Sequence, residues 1–288
     1  MKKIKRRDFV KSAGILSAGI SLQPKSRVGA GGNPGIIDEI KAHKKGIAAW
    51  WTGQNGWLIK SDDILIGTDL VLASFNRIEE LPITPGELAS VIDYSFVTHE
   101  HSDHFERVTS KTFLEHGKCK FIMPVSCLDA AHKEMNIPDN RIIVAEPRKP
   151  LDIGEIRVEP IRAIHGNSNF AVYYDANLED CGYMINIGGK RILQMGDTIL
   201  LEDHLRQKDV DVLLFSPTEH NTYIDQSVIL INALTPEYIL PQHRDTFTVT
   251  PENRFWTNGY PWEVKIRLSK ELQKRYNILS IGEKIEIV

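Results

Sequence analysis

The stretch T-H-E-H-S-D-H-F, residues 98–105, follows the apolar run Tyr94-Ser95-Phe96-Val97 and places four candidate metal ligands within six residues: His99, His101, Asp103 and His104. The apolar run reads as a buried strand. Just past a strand end, alternation aims His99 and His101 to one side, while the turn brings Asp103 and His104 round to face them. Imidazole with carboxylate suits Zn²⁺, Mn²⁺ and Fe²⁺, and a mixed nitrogen and oxygen set leaves room for a bound water. One histidine here would fit a solvated polar loop; three with an aspartate at these offsets point to a metal site.

Outward from that motif, short strand-like runs recur at Trp57 to Lys60, Ile64 to Thr68, Tyr94 to Thr98, Lys120 to Met123, Ile142 to Ala145 and Ile156 to Ile164. Asp62-Asp63 marks a tight turn, and Gly188-Gly189 separates Cys181–Ile187 from Lys190–Gln194 as a hairpin. Helices are expected at Phe105 to Phe113, at Ser126 to Met135 with Ser126 as N-cap, and at Thr198 to Lys208, Asp225 to Leu234 and Pro261 to Tyr276. Val212 to Phe215 and Tyr238 to Pro241 then read as buried strands between helices. This is an α/β chain. The order suits two sheets packed face to face with helices outside, an αββα sandwich, but the pattern alone also allows a doubly wound sheet, because short apolar runs do not reveal strand order.

The beginning of the chain differs from the rest. Lys2, Lys3, Lys5, Arg6, Arg7 and Lys11 precede the small apolar run Ala13 to Leu22, a signal-peptide layout too short to span a bilayer. K-R-R-D-F-V-K, residues 5–11, resembles a twin-arginine export signal, and Val28-Gly29-Ala30 offers a cleavage pattern. The expectation is therefore an exported, periplasmic protein with no permanent membrane anchor. Residues 1–30 would be the signal and 36–288 the folded domain, with the twin-arginine machinery as a partner. Removing residues 1–30 takes eight Lys/Arg from 35 and one acidic residue from 38, leaving 27 basic against 37 acidic. A chain so acidic, without a basic run, has no means of neutralising a nucleic-acid backbone. The expected partner is a small-molecule substrate; the oligomeric state cannot be read from the sequence.

Three cysteines, Cys119, Cys127 and Cys181, are too few for a disulfide framework and read as core residues, with a Cys119–Cys127 pair left open. His43, His116, His132 and His204 read as surface histidines. His220, in S-P-T-E-H-N after Val212 to Phe215, lies on a loop expected to open on the same rim as the ligands and is a candidate substrate contact. Trp50, Trp51 and Trp57 read as core or sheet-face aromatics.

H-x-H-x-D-H after a strand resembles the signature of the metallo-β-lactamase superfamily. Its later ligands are matched in order by His165 in A-I-H-G-N, Asp197 in M-G-D-T and His243 in P-Q-H-R. The stretches G-Y-M-I-N-I-G-G-K-R-I-L-Q-M-G-D-T and I-L-P-Q-H-R-D-T-F are similar to the ascorbate-6-phosphate lactonase-like branch, itself related to phosphodiesterases of N-acylethanolamine phospholipids. The resemblance implies the αββα sandwich and two divalent cations, Zn²⁺ or Mn²⁺. One would be held by His99, His101 and His165, the other by Asp103, His104 and His243, with Asp197 bridging. Two cations sharing a water make hydroxide available near neutral pH to cleave a small ester, lactone or phosphodiester, with Asp103 and His220 as the catalytic side chains. A β-lactamase and a metal-containing binding protein without turnover are the alternatives. The chain departs from the branch at Gln54-Asn55-Gly56, at Gly67-Thr68-Asp69 and at Arg244, departures expected to bear on the substrate.

Overall fold

Ile47, Ala49 and Trp51 face one hydrophobic layer, whereas Ala48 and Trp50 face another, so consecutive residues of a single strand serve two cores. Both faces of this strand are buried, as in the middle layers of a sandwich. The computed structural model describes residues 35–73, 77–167, 169–174 and 176–288. The expected export signal, residues 1–30, lies outside the described residues.

The strands are β1 (Ile47–Gly53), β2 (Gly56–Ser61), β3 (Ile64–Thr68), β4 (Tyr94–Phe96), β5 (Lys120–Pro124), β6 (Ile142–Ala145), β7 (Leu151–Ile153), β8 (Ile156–Arg162), β9 (Cys181–Ile187), β10 (Lys190–Gln194), β11 (Val212–Phe215), β12 (Tyr238–Pro241) and β13 (Lys284–Ile287). One sheet runs β13-β1-β2-β3-β4-β5-β6 and the other β12-β11-β10-β9-β8-β7. Each mixes parallel and antiparallel pairs. The layer between them holds Trp51, Trp57, Phe96, Tyr183 and Ile185, all fully or almost fully buried. Helices Ile36–Ala42, Pro85–Ala89 and Arg107–His116 cover the first sheet through Ile40, Leu88 and Phe113. Asp225–Leu234, Pro261–Arg267 and Lys270–Arg275 cover the second through Leu230, Val264 and Leu272. This is the αββα sandwich, not the doubly wound sheet. Truncating one of the inner aromatics, such as Trp51→Ala, would cost about 3–5 kcal/mol.

The Gly188-Gly189 hairpin forms as expected: Ile187 pairs with Lys190, and the two glycines have φ of 56° and 78°, the left-handed pair a two-residue turn of this hand requires. Several expected elements differ. Ser126 does not cap a helix; its hydroxyl donates to Asp180 at 2.7 Å, and a short 3₁₀ turn at Val125–Cys127 leads into a helix at Leu128–Lys133. Only Glu202–Leu205 of the expected helix over residues 198–208 is helical, because Thr198 accepts the backbone N–H of Ile164 and so ties its segment to β8's exit. The last expected helix breaks at Leu268, where Ser269 caps a new one by accepting from the Leu272 N–H. His204, expected at the surface, is fully buried. The three cysteines are buried free thiols, so the Cys119–Cys127 pair is not formed. Among the described residues no helix is long and apolar enough to cross a membrane.

Candidate metal centre

Seven chain segments deliver side chains to one edge of the sandwich, mostly from strand ends. The β1–β2 turn brings Gln54 and Asn55, the end of β3 brings Asp69, and the loop after β4 brings residues 98–105. His165 follows β8, Asp197 follows β10, His220 follows β11 and His243 follows β12. Donor atoms of His99, His101 and His165 lie within 4.8 Å of one another, as do those of Asp103, His104 and His243, and those of His99, His104 and Asp197. The structure thus brings together all seven residues matched to metal positions. It also adds one: His220 Nε2 lies 2.6 Å from Asp197 Oδ2, and His220, Asp197 and His243 form a further group of donors.

What these imidazoles do with their other nitrogen tests the fit to a cation. The Nε2 atoms of His99, His104 and His165 are buried and have no hydrogen-bond partner within the protein, that of His104 lying 3.5 Å from Asp197 and 3.6 Å from Asp103. Thr98 Oγ1 donates its only proton to Asp69 at 2.8 Å, so at its 3.0 Å contact with His99 Nδ1 it can only accept. Asp69 Oδ2 accepts from His104 Nδ1 at 3.0 Å. Both rings therefore carry the proton on Nδ1 and present an Nε2 lone pair inward, the arrangement in which a second group orients a metal-ligating imidazole. An unpartnered buried nitrogen is costly unless something else satisfies it, and a divalent cation would do so here.

The electrostatics point the same way. Burial, and then the neighbouring rings of His104 and His165, push His99 well below its ordinary pKa and keep it neutral. Burial would raise Asp197, but the imidazoles of His243, His104 and His220 outweigh it and hold its carboxyl well below the usual range. Asp103 is lowered in the same way, with His104 and His243 overcoming burial. Burial also opposes charge on His104, yet Asp197, Asp103 and Asp69 raise it well above its ordinary value. These carboxylates favour positive charge at Nε2 of His104, where a proton and a cation compete for the same lone pair.

The backbone is strained where the site is tightest. Gln54, Asp69 and His243, none of them glycine, have φ of 50°, 41° and 55°. The His243 N–H donates to Gln54 O at 2.8 Å, locking two of these turns together. Gly196, at φ 66°, precedes Asp197; a Cβ there would come within 2.8 Å of the Thr98 side chain.

With this geometry in view, comparison with known proteins is decisive. A family model described as the Beta-lactamase superfamily domain matches residues 49–243. The chain belongs to the metallo-β-lactamase superfamily. It is 27% identical over 206 residues to a UPF0173 metal-dependent hydrolase of Nanoarchaeum equitans, covering 68% of this chain and 86% of that protein. It is 25% identical over 233 residues to a UPF0173 protein of Pyrococcus furiosus, covering 78% and 90%. Igni18, a metallo hydrolase of Ignicoccus hospitalis, superposes with a TM-score of 0.65 at 18% identity, over 83% of this chain and 97% of that one. The metallo-β-lactamase fold protein YhfI of Bacillus subtilis superposes at 0.61 and 15% identity, over 84% and 100%. At such identities the two structures speak for the superfamily fold alone.

The positions expected to bear on the substrate are Gln54-Asn55-Gly56, Gly67-Thr68-Asp69 and Arg244. None lines the pocket beside the ligands. Gln54 Nε2 donates to Asp103 Oδ2 at 2.8 Å and lies 3.1 Å from the His243 ring. Asn55 Nδ2 donates to Asp197 Oδ1 at 3.1 Å, and Asp69 governs His104 and Thr98 as described. These residues hold the candidate ligands. Beneath them lies a buried relay, in which Trp57 Nε1 donates to Gln242, Gln242 to Gln194 and Gln194 to the backbone oxygen of Asn55. Arg244 is buried, with its guanidinium 4.2 Å over the Trp51 ring and donating to Leu279 O. It is packing. The sequence reading missed Gln54, Asn55 and Asp69 as positioning residues, because a polar residue at a strand end carries no local sign of the ligand it will meet.

Proposed function

We propose that this chain hydrolyses a small ester, lactone or phosphodiester with two divalent cations, Zn²⁺ or Mn²⁺, by analogy with the ascorbate-6-phosphate lactonase-like branch that its sequence resembles. The observation that carries this reading is the set of three buried imidazole Nε2 atoms, two with their lone pairs fixed inward by Asp69 and Thr98, beside Asp103 and Asp197. His99, His101 and His165 would hold one cation and Asp103, His104 and His243 the other, with Asp197 between them. Such ions polarise an electrophile and make water acidic near neutral pH.

The protein's own groups do the rest. Asp103, whose side chain is 22% exposed and lines the pocket, keeps one oxygen on Gln54 and has the other free to orient a water and take its proton. His220 lines the same pocket from the β11 exit, touching Asp197 on one side and Thr218 Oγ1 at 3.0 Å on the other. From there its ring can contact the substrate or steady the charge that develops on it. Metal analysis of the purified protein, followed by an ester, lactone and phosphodiester panel with that metal restored, tests the reading. Two equivalents and turnover of one class are expected; a fully loaded protein inert to all three classes rejects it.

Export through the twin-arginine machinery to the periplasm rests on residues 5–11. Changing Arg6 and Arg7 together to Lys should leave precursor in the cytoplasm. Normal accumulation of the double variant outside the cytoplasm rejects the signal.

A further inference from the structure

The pocket beside the candidate ligands has a volume of about 400 Å³, and its composition separates the substrate classes that the ligands alone leave together. Beyond the ligands and His220, its charged lining residues are Glu100 and Asp180, and no Lys or Arg lines it among the described residues. The basic residue next to its aromatic wall, Arg254, is tied 3.3 Å from Glu219, whose carboxylate also accepts from Tyr260. Sites built for phosphate or carboxylate groups ordinarily supply an Arg or Lys fork. Two divalent cations would carry four positive charges amid the carboxylates of Asp103, Asp197, Glu100 and Asp180, with that of Asp69 behind His104. Nothing is left over to hold an anion outside the reacting group.

The rest of the wall is three aromatic residues with Ala176 and Asn177. Tyr173 contributes from the loop after His165, and Phe255 and Trp256 from the short helix Arg254–Thr257. Phe255 is 42% exposed, and the Tyr173 loop also exposes Val172 and Leu178. Aromatic rings on the wall of a polar, ligand-lined pocket, one of them the exposed Phe255, are the lining expected where an apolar group of a substrate is to be taken out of water.

We infer that the substrate is an uncharged carboxylic ester or lactone bearing an apolar alkyl or aryl group, a choice that rests on the hydrolase reading above. In the step itself a water oxygen bonds to the carbonyl carbon and the bond from that carbon to the alcohol oxygen breaks. The electron pair leaves with the alkoxide, which takes a proton from the water, and the products are a carboxylic acid and an alcohol.

A matched pair of substrates tests the charge requirement within one chemistry: 4-nitrophenyl hexanoate and mono-4-nitrophenyl adipate, which differ by a terminal carboxylate. With the metal-loaded full chain, kcat/KM for the hexanoate should exceed that for the adipate at least tenfold, and Glu100→Gln should narrow the gap by raising the adipate rate with metal content unchanged. Phe255→Ala should lower the preference for hexanoate over 4-nitrophenyl acetate several-fold. Equal rates for the pair, or faster adipate, overturn the inference. Calorimetry with the slowly cleaved anilides of hexanoic and adipic acid provides an arm free of turnover. Tenfold tighter hexananilide binding supports the inference, whereas equal binding, tighter adipic monoanilide or no binding of either overturns it. If the anilides discriminate but no ester is cleaved, the pocket assignment stands and the hydrolase reading falls.

Discussion

His104 and His204 are both fully or almost fully buried, and both leave Nε2 without a partner, yet they offer opposite chemistry. At His104 the Nδ1 atom faces the Asp69 carboxylate, so the proton sits there and Nε2 carries a lone pair. At His204 the Nδ1 atom accepts the backbone N–H of Leu201 at 3.1 Å, so the proton is forced onto Nε2. One ring is prepared for a cation; the other keeps an N–H in the core, facing the Arg162 backbone. Burial and an orphaned nitrogen therefore do not identify a ligand. The group on the far side of the ring does.

The largest effect expected on the ligand side of this contrast comes from Asp103→Asn, which keeps shape but removes the proton acceptor. Its kcat should fall by roughly 10²–10⁴, the range for losing a positioned acid or base. Full metal content with unchanged kcat would remove Asp103 from the chemistry.

On the other side, burial holds the pKa of His204 down to about 4. The unfolded chain protonates this residue near pH 6.5 and the folded chain resists until about pH 4, so the stability it contributes is present above pH 6.5 and lost as pH falls between those values. His204→Gln should reduce the acid-induced loss of stability across that window by up to about 3 kcal/mol, with metal content intact. Denaturant titrations at pH 7 and pH 4.5 measure it; identical losses in the two proteins would show that His204 does not titrate in this way.

Asp69→Asn attacks the contrast at its origin, because it weakens the hold on Nδ1 of His104 directly and of His99 through Thr98. Metal affinity should fall by about 10–100-fold, the usual cost of losing such a partner. Competition with a chelator gives the number, and an unchanged affinity would mean that the tautomers are fixed by something else. The smallest change is expected from His220→Ala, about tenfold in kcat/KM, the size of one hydrogen bond to a charged group, with two metals retained. Loss of a metal equivalent instead would make His220 a ligand.

Legibility followed sequence distance. His99, His101, Asp103 and His104 were readable because one strand end and one turn hold them, whereas His165, Asp197 and His243 were reached only through the match to the superfamily's later ligand positions. Gln54 and Asp69 escaped, since an amide or carboxylate at a strand end looks the same whether it meets solvent or a ligand 35 or 49 residues away. β1 escaped as well. With both faces buried it shows no alternation, and A-A-W-W has no period to read. His204 was placed at the surface because Glu202 and Asp203 beside it are polar, whereas these pair with Arg148 and Arg162 and leave the ring inside.

By itself the sequence determined which atoms could bind a cation, where strands would end and that glycines 188 and 189 would turn a hairpin, because these depend on residue type and local backbone geometry. Only the tertiary structure decided which of two buried imidazoles carries a usable lone pair. That depends on a partner, Asp69 in one case and the Leu201 N–H in the other, whose position is fixed by packing.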